Sequence, residues 1–193
     1  MDKLIIATNN KHKLKELREV LHPYFESILS LEEAGIQHET VEDAATFEGN
    51  ALKKAREIAC ISGCAALADD SGLSVKALNG EPGVYSARYA GEPCNDRKNL
   101  ELVLEKMEGI KDRTACFVCV LALVTPSGEL TARGEVAGEL TYAPQGEGGF
   151  GYDPIFYIPQ YICTFAQMTQ EQKNQLSHRA IAARLLAGKC ARL

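Results

Sequence analysis

Residues 4–21, LIIATNNKHKLKELREVL, change from the pattern of a strand to the pattern of a helix within one short segment. The apolar residues 4–7 end at the polar turn Thr8-Asn9-Asn10, as expected for a short buried strand. Beyond the turn, leucines at positions 14, 17 and 21 recur at spacings of three and four residues, which predicts an amphipathic helix. A strand that passes directly into a helix is typical of α/β proteins.

The rest of the chain continues to mix the two patterns, without internal repeats or low-complexity linkers. Apolar residues at helical spacing predict three further helices, at 51–59, 100–107 and 181–186. Asn95 or Asp96 is available to cap the second of these, and Thr169-Gln-Glu-Gln172 has the pattern of a capping box. Apolar runs predict buried strands at 64–68, 115–124 and 130–137, the first of them ending at Asp69, with an ordered loop at 79–95. We therefore predict one domain over residues 1–193, an α/β fold with a mixed sheet flanked by helices.

Composition excludes several classes of function. The 21 Lys and Arg residues against 26 Asp and Glu give a net charge of −5, which argues against a general nucleic-acid-binding protein with its basic face. The longest apolar runs, such as 115–124, are about half the length of a membrane span. Met1-Asp2-Lys3 leads into the first strand without a signal peptide. We expect a soluble cytoplasmic protein that binds neither nucleic acid nor membranes.

The seven cysteines are an odd number without the regular spacing of a disulfide framework. Cys116 and Cys119 have the spacing of a CxxC motif, but they lie inside an apolar run and no second pair accompanies them. We interpret them as small hydrophobic residues of a reduced protein, and expect neither a zinc site nor a redox site.

The segment from Thr8 to Lys13 is the first candidate for chemistry. The N-terminus of a helix presents unpaired N–H groups and the positive end of the helix dipole, which together favour an anion such as phosphate. Thr8, Asn10, Lys11 and Lys13 add short polar groups and positive charge. The Walker A pattern GxxxxGK[ST] is absent, so the segment is not a P-loop. The alternative to anion binding is a polar helix cap followed by a solvated lysine face.

The second candidate is the pair Asp69-Asp70 at the expected end of a buried strand. Neighbouring strand residues point to opposite faces, so only one of the two is expected to enter a given site. Residues 32–48 contain six further acids and no Lys or Arg. Two acidic stretches can supply the oxygen ligands that Mg²⁺ prefers, and the ion would link carboxylate to phosphate. The alternative is a solvated acidic turn.

The third candidate is the glycine cluster at 146–151, which has the pattern G-x-G-x-x-G. A dinucleotide-binding loop must open a helix, but Pro154 and Pro159 exclude a helix directly after this loop. A kinase glycine loop is unsupported because H-R-D and D-F-G are absent. We predict a loop that approaches a ligand closely, with Phe150 and Tyr152 as stacking surfaces and Asp153 as an acceptor.

The fourth candidate is the basic stretch of Lys173-Asn174 and Ser177-His178-Arg179, before the last helix, which Ser177 is expected to cap. Positive charge at a helix start opposes the helix dipole, so an anionic ligand is one explanation and simple exposure of charged side chains is the other. Ser177 and His178 are adjacent and no nucleophile elbow is present, which argues against a Ser-His-acid hydrolase.

Six ordered motifs carry a family resemblance over nearly the whole chain. They are Thr8-x-Asn10-x-x-Lys13, Thr46-Phe-x-x-Asn50-Ala with Lys54, Ala68-Asp-Asp-Ser-Gly72, Gly83-Val-Tyr-Ser-Ala-Arg88, Gly148-Gly-Phe-Gly-Tyr-Asp-Pro-Ile-Phe156, and Lys173-Asn174 with Ser177-His-Arg179. In this order they resemble the non-canonical purine nucleoside triphosphate pyrophosphatases, the XTP/dITP diphosphatase or HAM1-like family.

The resemblance implies an elongated α/β fold of two lobes with a central cleft (a HAM1/Maf-like fold) and a homodimer. It implies Mg²⁺-dependent hydrolysis of ITP, dITP and XTP to the nucleoside monophosphate and pyrophosphate, which cleanses the nucleotide pool. Asp70 would be the catalytic base or metal-linked acid, and Glu42 and Asp70 would be the metal ligands. The substrate-binding residues it implies are Thr8, Asn9, Asn10, Lys11, His12, Lys13, Lys54, Ser71, Phe150, Gly151, Tyr152, Asp153, Lys173, His178 and Arg179.

Donors from His178 or Arg179 would favour a 6-oxopurine over adenine, because the wrong base leaves polar groups unpaired. The chain departs from the family pattern at Cys163 and Gln167, where Lys and Glu are common, and at 41–43, where Val-Glu-Asp replaces Glu-Glu-Thr. Asp69 is therefore the alternative to Glu42 as a metal ligand.

Two rival functions are weighed against this one. A Maf-like pyrophosphatase would act on modified pyrimidine triphosphates, but the stretch 173–179 argues against it. A nucleotide sensor would bind without turnover, but a sensor has no need of the base Asp70, which is intact.

Overall fold

The computed structural model describes residues 3–23 and 25–190 and contains five α-helices and seven strands within them. The helices are α1 (Lys11–Leu21), α2 (Phe47–Ser62), α3 (Asp96–Lys106), α4 (Gln170–Leu176) and α5 (His178–Cys190). The strands are β1 (Lys3–Ile6), β2 (Ser27–Ser30), β3 (Ala65–Val75), β4 (Thr114–Thr125), β5 (Gly128–Leu140), β6 (Phe156–Ile158) and β7 (Cys163–Thr164). No helix in these residues is long and apolar enough to cross a membrane.

The strands form one mixed sheet in the order β2-β1-β3-β4-β5-β6-β7. β1 pairs in parallel with β2 and with β3, whereas β6 pairs antiparallel with β5 and with β7. Parallel neighbours require a crossover, and here α1 connects β1 to β2. The predicted α/β fold with a mixed sheet is thus confirmed.

The chain divides into two compact units, of which the first comprises residues 1–70, 119–134 and 178–193. In this unit α1 packs against α5, and the leucines predicted from the helical spacing face inward: Leu17 and Leu21 are buried and Leu14 is half-buried. Leu4 and Ile6 of β1 and Leu67 of β3 are buried in the same core. This core holds together β1, β3, α1 and α5, which carry the candidate residues Lys13, Asp69, Asp70 and Arg179.

The second unit comprises residues 71–118 and 135–177. Its core is built around three phenylalanines, with the ring centroid of Phe117 4.3 Å from that of Phe156 and 5.6 Å from that of Phe165. Leu100 and Val103 of α3 are buried in the same core, as the predicted third helix requires.

Several local predictions are confirmed and two strand ends are wrong. Asn95 caps α3 by accepting the Lys98 N–H at 3.0 Å, and Thr169 and Gln172 form the predicted capping box of α4. The strand expected to end at Asp69 continues to Val75, because β3 is buried on both faces and the acids lie in its middle. The strand expected at 130–137 is also longer, and the loop at 79–95 contains a 3₁₀ segment, Gly83–Arg88.

All seven cysteines are free thiols, and Cys119 of the CxxC pattern is completely buried. Burial raises the pKa of the Cys119 thiol to about 12, so it stays protonated and unreactive. The interpretation of the CxxC pair as ordinary hydrophobic residues agrees with this environment.

Gly72 allows β3 to pass close to the 3₁₀ segment, because a Cβ atom there would lie 2.3 Å from Ser86 Oγ and 2.5 Å from the Gly83 carbonyl oxygen. We expect Gly72→Ala to lower the free energy of unfolding by about 1–3 kcal/mol, the usual cost of overpacking. Gly188→Ala in α5 is the matched control: its Cβ meets nothing within 4 Å, so a gain of about 0.5–1 kcal/mol is expected. Urea denaturation of both variants measures the difference, and an equally stable Gly72→Ala protein would contradict the close approach.

Candidate functional site

Asp69 and Asp70 lie side by side on β3, and their side chains have different partners. Asp69 contacts residues of α1 and α5, whereas Asp70 contacts residues of α2. This is the alternation expected of neighbouring strand residues, and it separates the first unit's polar residues into two groups. We call them the Asp69 cluster (Lys13, Glu16, Asp69 and Arg179) and the Asp70 cluster (Glu42, Asn50, Lys54 and Asp70).

The Asp69 cluster is a buried ion network. Asp69 Oδ2 lies 3.0 Å from Lys13 Nζ and 3.4 Å from Arg179 Nη2, and Arg179 Nη1 donates to Glu16 Oε2. Asp69 is 1% exposed and Arg179 2% exposed, so both charges need buried partners. Burial alone would raise the pKa of Asp69, but Lys13, Arg179 and Lys54 outweigh it and hold that pKa well below its ordinary value. Asp69 is therefore ionised at neutral pH.

The Asp70 cluster has fewer compensating charges. Asn50 Nδ2 donates to Asp70 Oδ2 at 3.0 Å, and Lys54 Nζ lies 4.0 Å from Asp70 Oδ1 while it donates to Glu42 Oε1. Burial raises the pKa of Asp70 to about 6; Lys54 opposes this shift and Glu42 adds to it. Burial would lower the pKa of Lys54, but Asp69, Asp70 and Glu42 together raise it, so the amine stays charged. A carboxyl with a pKa near neutrality can accept and release a proton at physiological pH.

The N-terminus of α1 is closed by a side-chain cap, and its role as an anion-binding segment stays a prediction. Asn10 caps the helix, since its Oδ1 accepts the N–H groups of His12 at 3.0 Å and Lys13 at 3.2 Å. Thr8 Oγ1 in turn accepts the Asn10 N–H at 3.2 Å. The cap thus orders the turn. Four side chains of this segment lie at the surface: Asn9, Asn10, Lys11 and His12.

A separate group of candidates lies in the second unit. Asp153 Oδ2 accepts the Phe150 N–H at 2.9 Å and lies 2.8 Å from Lys173 Nζ, and both charged residues are buried. The Lys173 ammonium also lies 5.4 Å from the centroid of the Phe150 ring. Asp153 and Lys173 are twenty residues apart in the sequence, so no local pattern predicts their ion pair. The pair joins the segment after the glycine loop to α4.

The two aromatic residues of the glycine loop differ in exposure. Tyr152 is only 6% exposed, and its hydroxyl donates to the Ser86 carbonyl at 2.7 Å, so its ring is part of the core rather than a stacking surface. Phe150 is half-buried, and its role as a stacking surface stays a prediction. The Gly151 N–H donates to Asp96 Oδ2 at 2.9 Å, and the loop opens a 3₁₀ turn, Asp153–Ile155, instead of an α-helix. The prediction that no α-helix follows this loop is confirmed.

The remaining candidates and departures have local explanations. His178 is buried at the start of α5, Ser71 is half-buried on β3, and Ser177 ends α4 in an extended conformation, donating its N–H to the Lys173 carbonyl. Gln167 forms a capping box with Thr164, because Gln167 Oε1 accepts the Thr164 N–H at 2.9 Å. A neutral glutamine can therefore make this hydrogen bond at the position where the family pattern commonly has glutamate.

Two residues of the clusters were assigned no role from the sequence: Glu16 lies outside the motifs, and Asn50 belongs to the motif Thr46-Phe-x-x-Asn50-Ala without an expected function. Glu16 lies three residues after Lys13, and Asn50 lies four residues before Lys54, so each shares a helix face with a predicted phosphate-binding lysine. For Glu16 that spacing is the only sequence pattern that points to it, whereas Asn50 is also part of a resemblance motif. The partners of both residues, on α5 and β3, follow from the fold.

The Asp70 cluster has two carboxylates, Glu42 and Asp70, that are candidate ligands for a divalent cation. Within residues 3–23 and 25–190, no three His, Cys, Asp or Glu side chains gather as a closed metal site. Glu42 and Asp70 nevertheless approach one common cation, the Lys54 ammonium. Two carboxylates are the protein ligand set that Mg²⁺ uses when phosphate oxygens and water complete its shell.

The raised pKa of Asp70 predicts a pH-dependent stability difference. The ionised form of Asp70 is disfavoured in the folded state. The contribution of the protonated carboxyl to the free energy of unfolding is therefore fully present below about pH 4 and is lost as pH rises through about 6. We expect Asp70→Asn to be more stable than the wild type at pH 8 by about 3 kcal/mol, and to lose that advantage by pH 4.

Asp69→Asn is the control of opposite sign. Because the pKa of Asp69 is lowered, its stabilisation is present above its ordinary pKa and disappears in acid. Asp69→Asn should therefore be the less stable variant at pH 8. Denaturation curves from pH 3.5 to pH 8 test both; equal stability of Asp70→Asn and wild type at pH 8 would refute the unfavourable burial of Asp70.

Comparison with known proteins agrees with the motif resemblance. The Ham1 family model matches residues 4–189. A protein of Clostridium perfringens named dITP/XTP pyrophosphatase is 50% identical over 191 residues, covering 94% of each chain. One of the same name from Bacillus subtilis is 46% identical over 190 residues, covering 97% of this chain and 96% of its own.

Solved structures match the whole fold. The Ham1 protein of Staphylococcus aureus superposes with a TM-score of 0.90 at 41% identity, covering 99% of both chains. The nucleoside-triphosphatase or dITP/XTP pyrophosphatase of Mycobacterium abscessus gives a TM-score of 0.77 at 43% identity, covering 97% of this chain and 98% of that one. With fold, motifs and sequence in agreement, the chain belongs to the Ham1 family.

Proposed function

We propose that the protein hydrolyses ITP, dITP and XTP to the nucleoside monophosphate and pyrophosphate. The relatives named dITP/XTP pyrophosphatase, at up to about half identity over nearly the full length, support the substrate class. The observation that carries the proposal is Asp70, a buried carboxyl with a pKa of about 6 beside a charged lysine. Such a group suits a base for the activation of water.

The first unit holds the groups for phosphate chemistry. Attack of water on the α-phosphorus breaks the α–β phosphoanhydride bond, the proton of the water goes to Asp70, and pyrophosphate leaves as an anion. The capped N-terminus of α1 and the ammonium groups of Lys13 and Lys54 supply positive potential for the triphosphate. At pH 7 most Asp70 side chains are ionised, as a base must be.

We include Mg²⁺ in the proposal, with Glu42 and Asp70 as the residues that would hold it. When bound, Mg²⁺ neutralises phosphate charge and polarises the phosphorus. Glu42 and Asp70 already share a cation in Lys54, which supports their role as a pair. Asp69 is the weaker alternative, because Lys13 and Arg179 already compensate its carboxylate.

Recognition of the base stays a prediction of the resemblance. Phe150, Asp153 and Lys173 of the second unit form an ordered group with an aromatic ring, an acceptor and a donor. His178 and Arg179 remain the predicted donors to O6, although Arg179 also pairs with Asp69 and Glu16. A homodimer and a cytoplasmic location likewise remain predictions.

The substrate assay is the decisive measurement. We expect Mg²⁺-dependent release of pyrophosphate from ITP, dITP and XTP at least tenfold faster than from ATP, GTP or dTTP, measured as kcat/KM on the purified protein. Preferential turnover of dTTP or UTP would favour Maf-like activity instead. Nucleotide binding without release of pyrophosphate from any of them would favour a sensor.

Asp70→Asn tests the base. Because the amide cannot accept the proton of the attacking water, kcat should fall by at least a thousandfold while ITP still binds, as measured by calorimetry. Asp112→Asn is the control, since Asp112 is exposed and pairs with Lys76 in the second unit. A kcat near that of the wild type in Asp70→Asn would assign the base to another residue.

A further inference from the structure

We infer that Asn50 is a positioning residue for the reaction, and that its carboxamide fixes the Asp70 carboxylate relative to the segment that carries Glu42. The inference deepens the proposed function and rests on it for the identity of the reaction. The geometry on which it stands belongs to the first unit alone.

The Asn50 side chain has two partners from two different parts of the chain. Its Oδ1 accepts the backbone N–H of Ala44 at 2.9 Å, and its Nδ2 donates to Asp70 Oδ2 at 3.0 Å. Because a backbone N–H can only donate, Oδ1 must face Ala44 and Nδ2 must face Asp70. The orientation of the amide is therefore determined by its partners.

Burial makes both hydrogen bonds strong constraints. Asn50 is completely buried and Asp70 is 4% exposed, so water does not replace a lost partner without cost. Ala44 lies two residues after Glu42, and the segment passes close to α2 at Gly49, where a Cβ would lie 2.8 Å from Ala44 Cβ. The segment, the helix and β3 are thus joined at one side chain.

This arrangement assigns different tasks to the two oxygens of Asp70. Asn50 holds Oδ2 as an acceptor, and Oδ1 faces Lys54 at 4.0 Å, on the side where Lys54 also meets Glu42. Asn50 consequently directs Oδ1 toward the phosphate-binding lysine and the second carboxylate. It acts through Asp70 and contacts no reacting atom.

The chain offers a matched control in Asn99 of α3. Asn99 is 1% exposed, its Oδ1 accepts the Ala90 N–H at 2.7 Å, and its Nδ2 donates to the Ala87 carbonyl at 2.8 Å. The two asparagines thus share burial, helical setting and a pair of hydrogen bonds. Only Asn50 has a carboxylate as its acceptor.

The first test compares Asn50→Ser with Asn99→Ser in the ITP assay. Both should lower the melting temperature, but kcat per folded molecule should fall at least thirtyfold in Asn50→Ser, with KM changed less than threefold, and stay within twofold of wild type in Asn99→Ser. Equal kcat values for the two folded variants would reduce Asn50 to a structural residue and overturn the inference.

The second test needs no catalysis. Asn50→Asp keeps the acceptor for Ala44 but places two carboxyl oxygens against each other, whereas Asn50→Asp with Asp70→Asn restores one donor and one acceptor in swapped positions. Denaturation of the wild type, both single variants and the double variant should show that Asp70→Asn stabilises the Asn50→Asp protein by more than it stabilises the wild type, or that it restores folding if Asn50→Asp does not fold. Strict additivity of the two changes would show that the contact does not couple the residues.

The two tests separate the inference from the function on which it rests. A wild-type protein that releases no pyrophosphate from ITP or XTP refutes the proposed function, while the swap experiment still decides whether Asn50 holds Asp70. A wild-type enzyme with an unaffected Asn50→Ser variant refutes the inference and leaves the function intact.

Discussion

Two buried carboxylates on consecutive residues of β3 are the constraint on which the first unit depends. Each is too costly to bury alone, and the strand turns them to opposite faces, so the side chains in direct contact with them differ. Asp69 receives Lys13 and Arg179, whereas Asp70 receives one lysine at 4.0 Å and a neutral amide. The unequal compensation separates their pKa values, and it is this separation that leaves Asp70 able to exchange a proton.

Local sequence patterns predicted the elements well where side-chain chemistry and backbone geometry agree. The spacing of Leu17 and Leu21 predicted the buried face of α1, and Asn95 predicted the start of α3. The same reasoning failed at β3, because adjacent acids usually end a buried strand. Here the strand continues because the cations that compensate these acids come from helices distant in sequence, which no local pattern reveals.

The candidate site divides in the same way. Residue patterns pointed to Lys13, near the start of a helix, and to Asp70, at the expected end of a buried strand, whereas Lys54 was predicted only from the family resemblance. Glu16 was not predicted, and Asn50 belonged to a resemblance motif without an expected role, because a glutamate and an asparagine within helices are ordinary surface residues in most sequences. Their importance arises from Arg179 and Asp70, which are far away along the chain.

The net charge of −5 does not indicate whether this protein can bind a polyanion, because binding depends on the balance of charged side chains at the site itself. The Asp69 and Asp70 clusters together contain four carboxylates and three cationic side chains, so they have little positive charge to spare. Lys13 and Lys54, the lysines predicted to hold phosphate, both lie against carboxylates already. A triphosphate that binds there must exchange partners with those carboxylates or bring a further cation with it. This local acidic surplus is the physical reason for including Mg²⁺ in the proposed function, where Glu42 and Asp70 would hold the ion and its charge would add to that of the lysines.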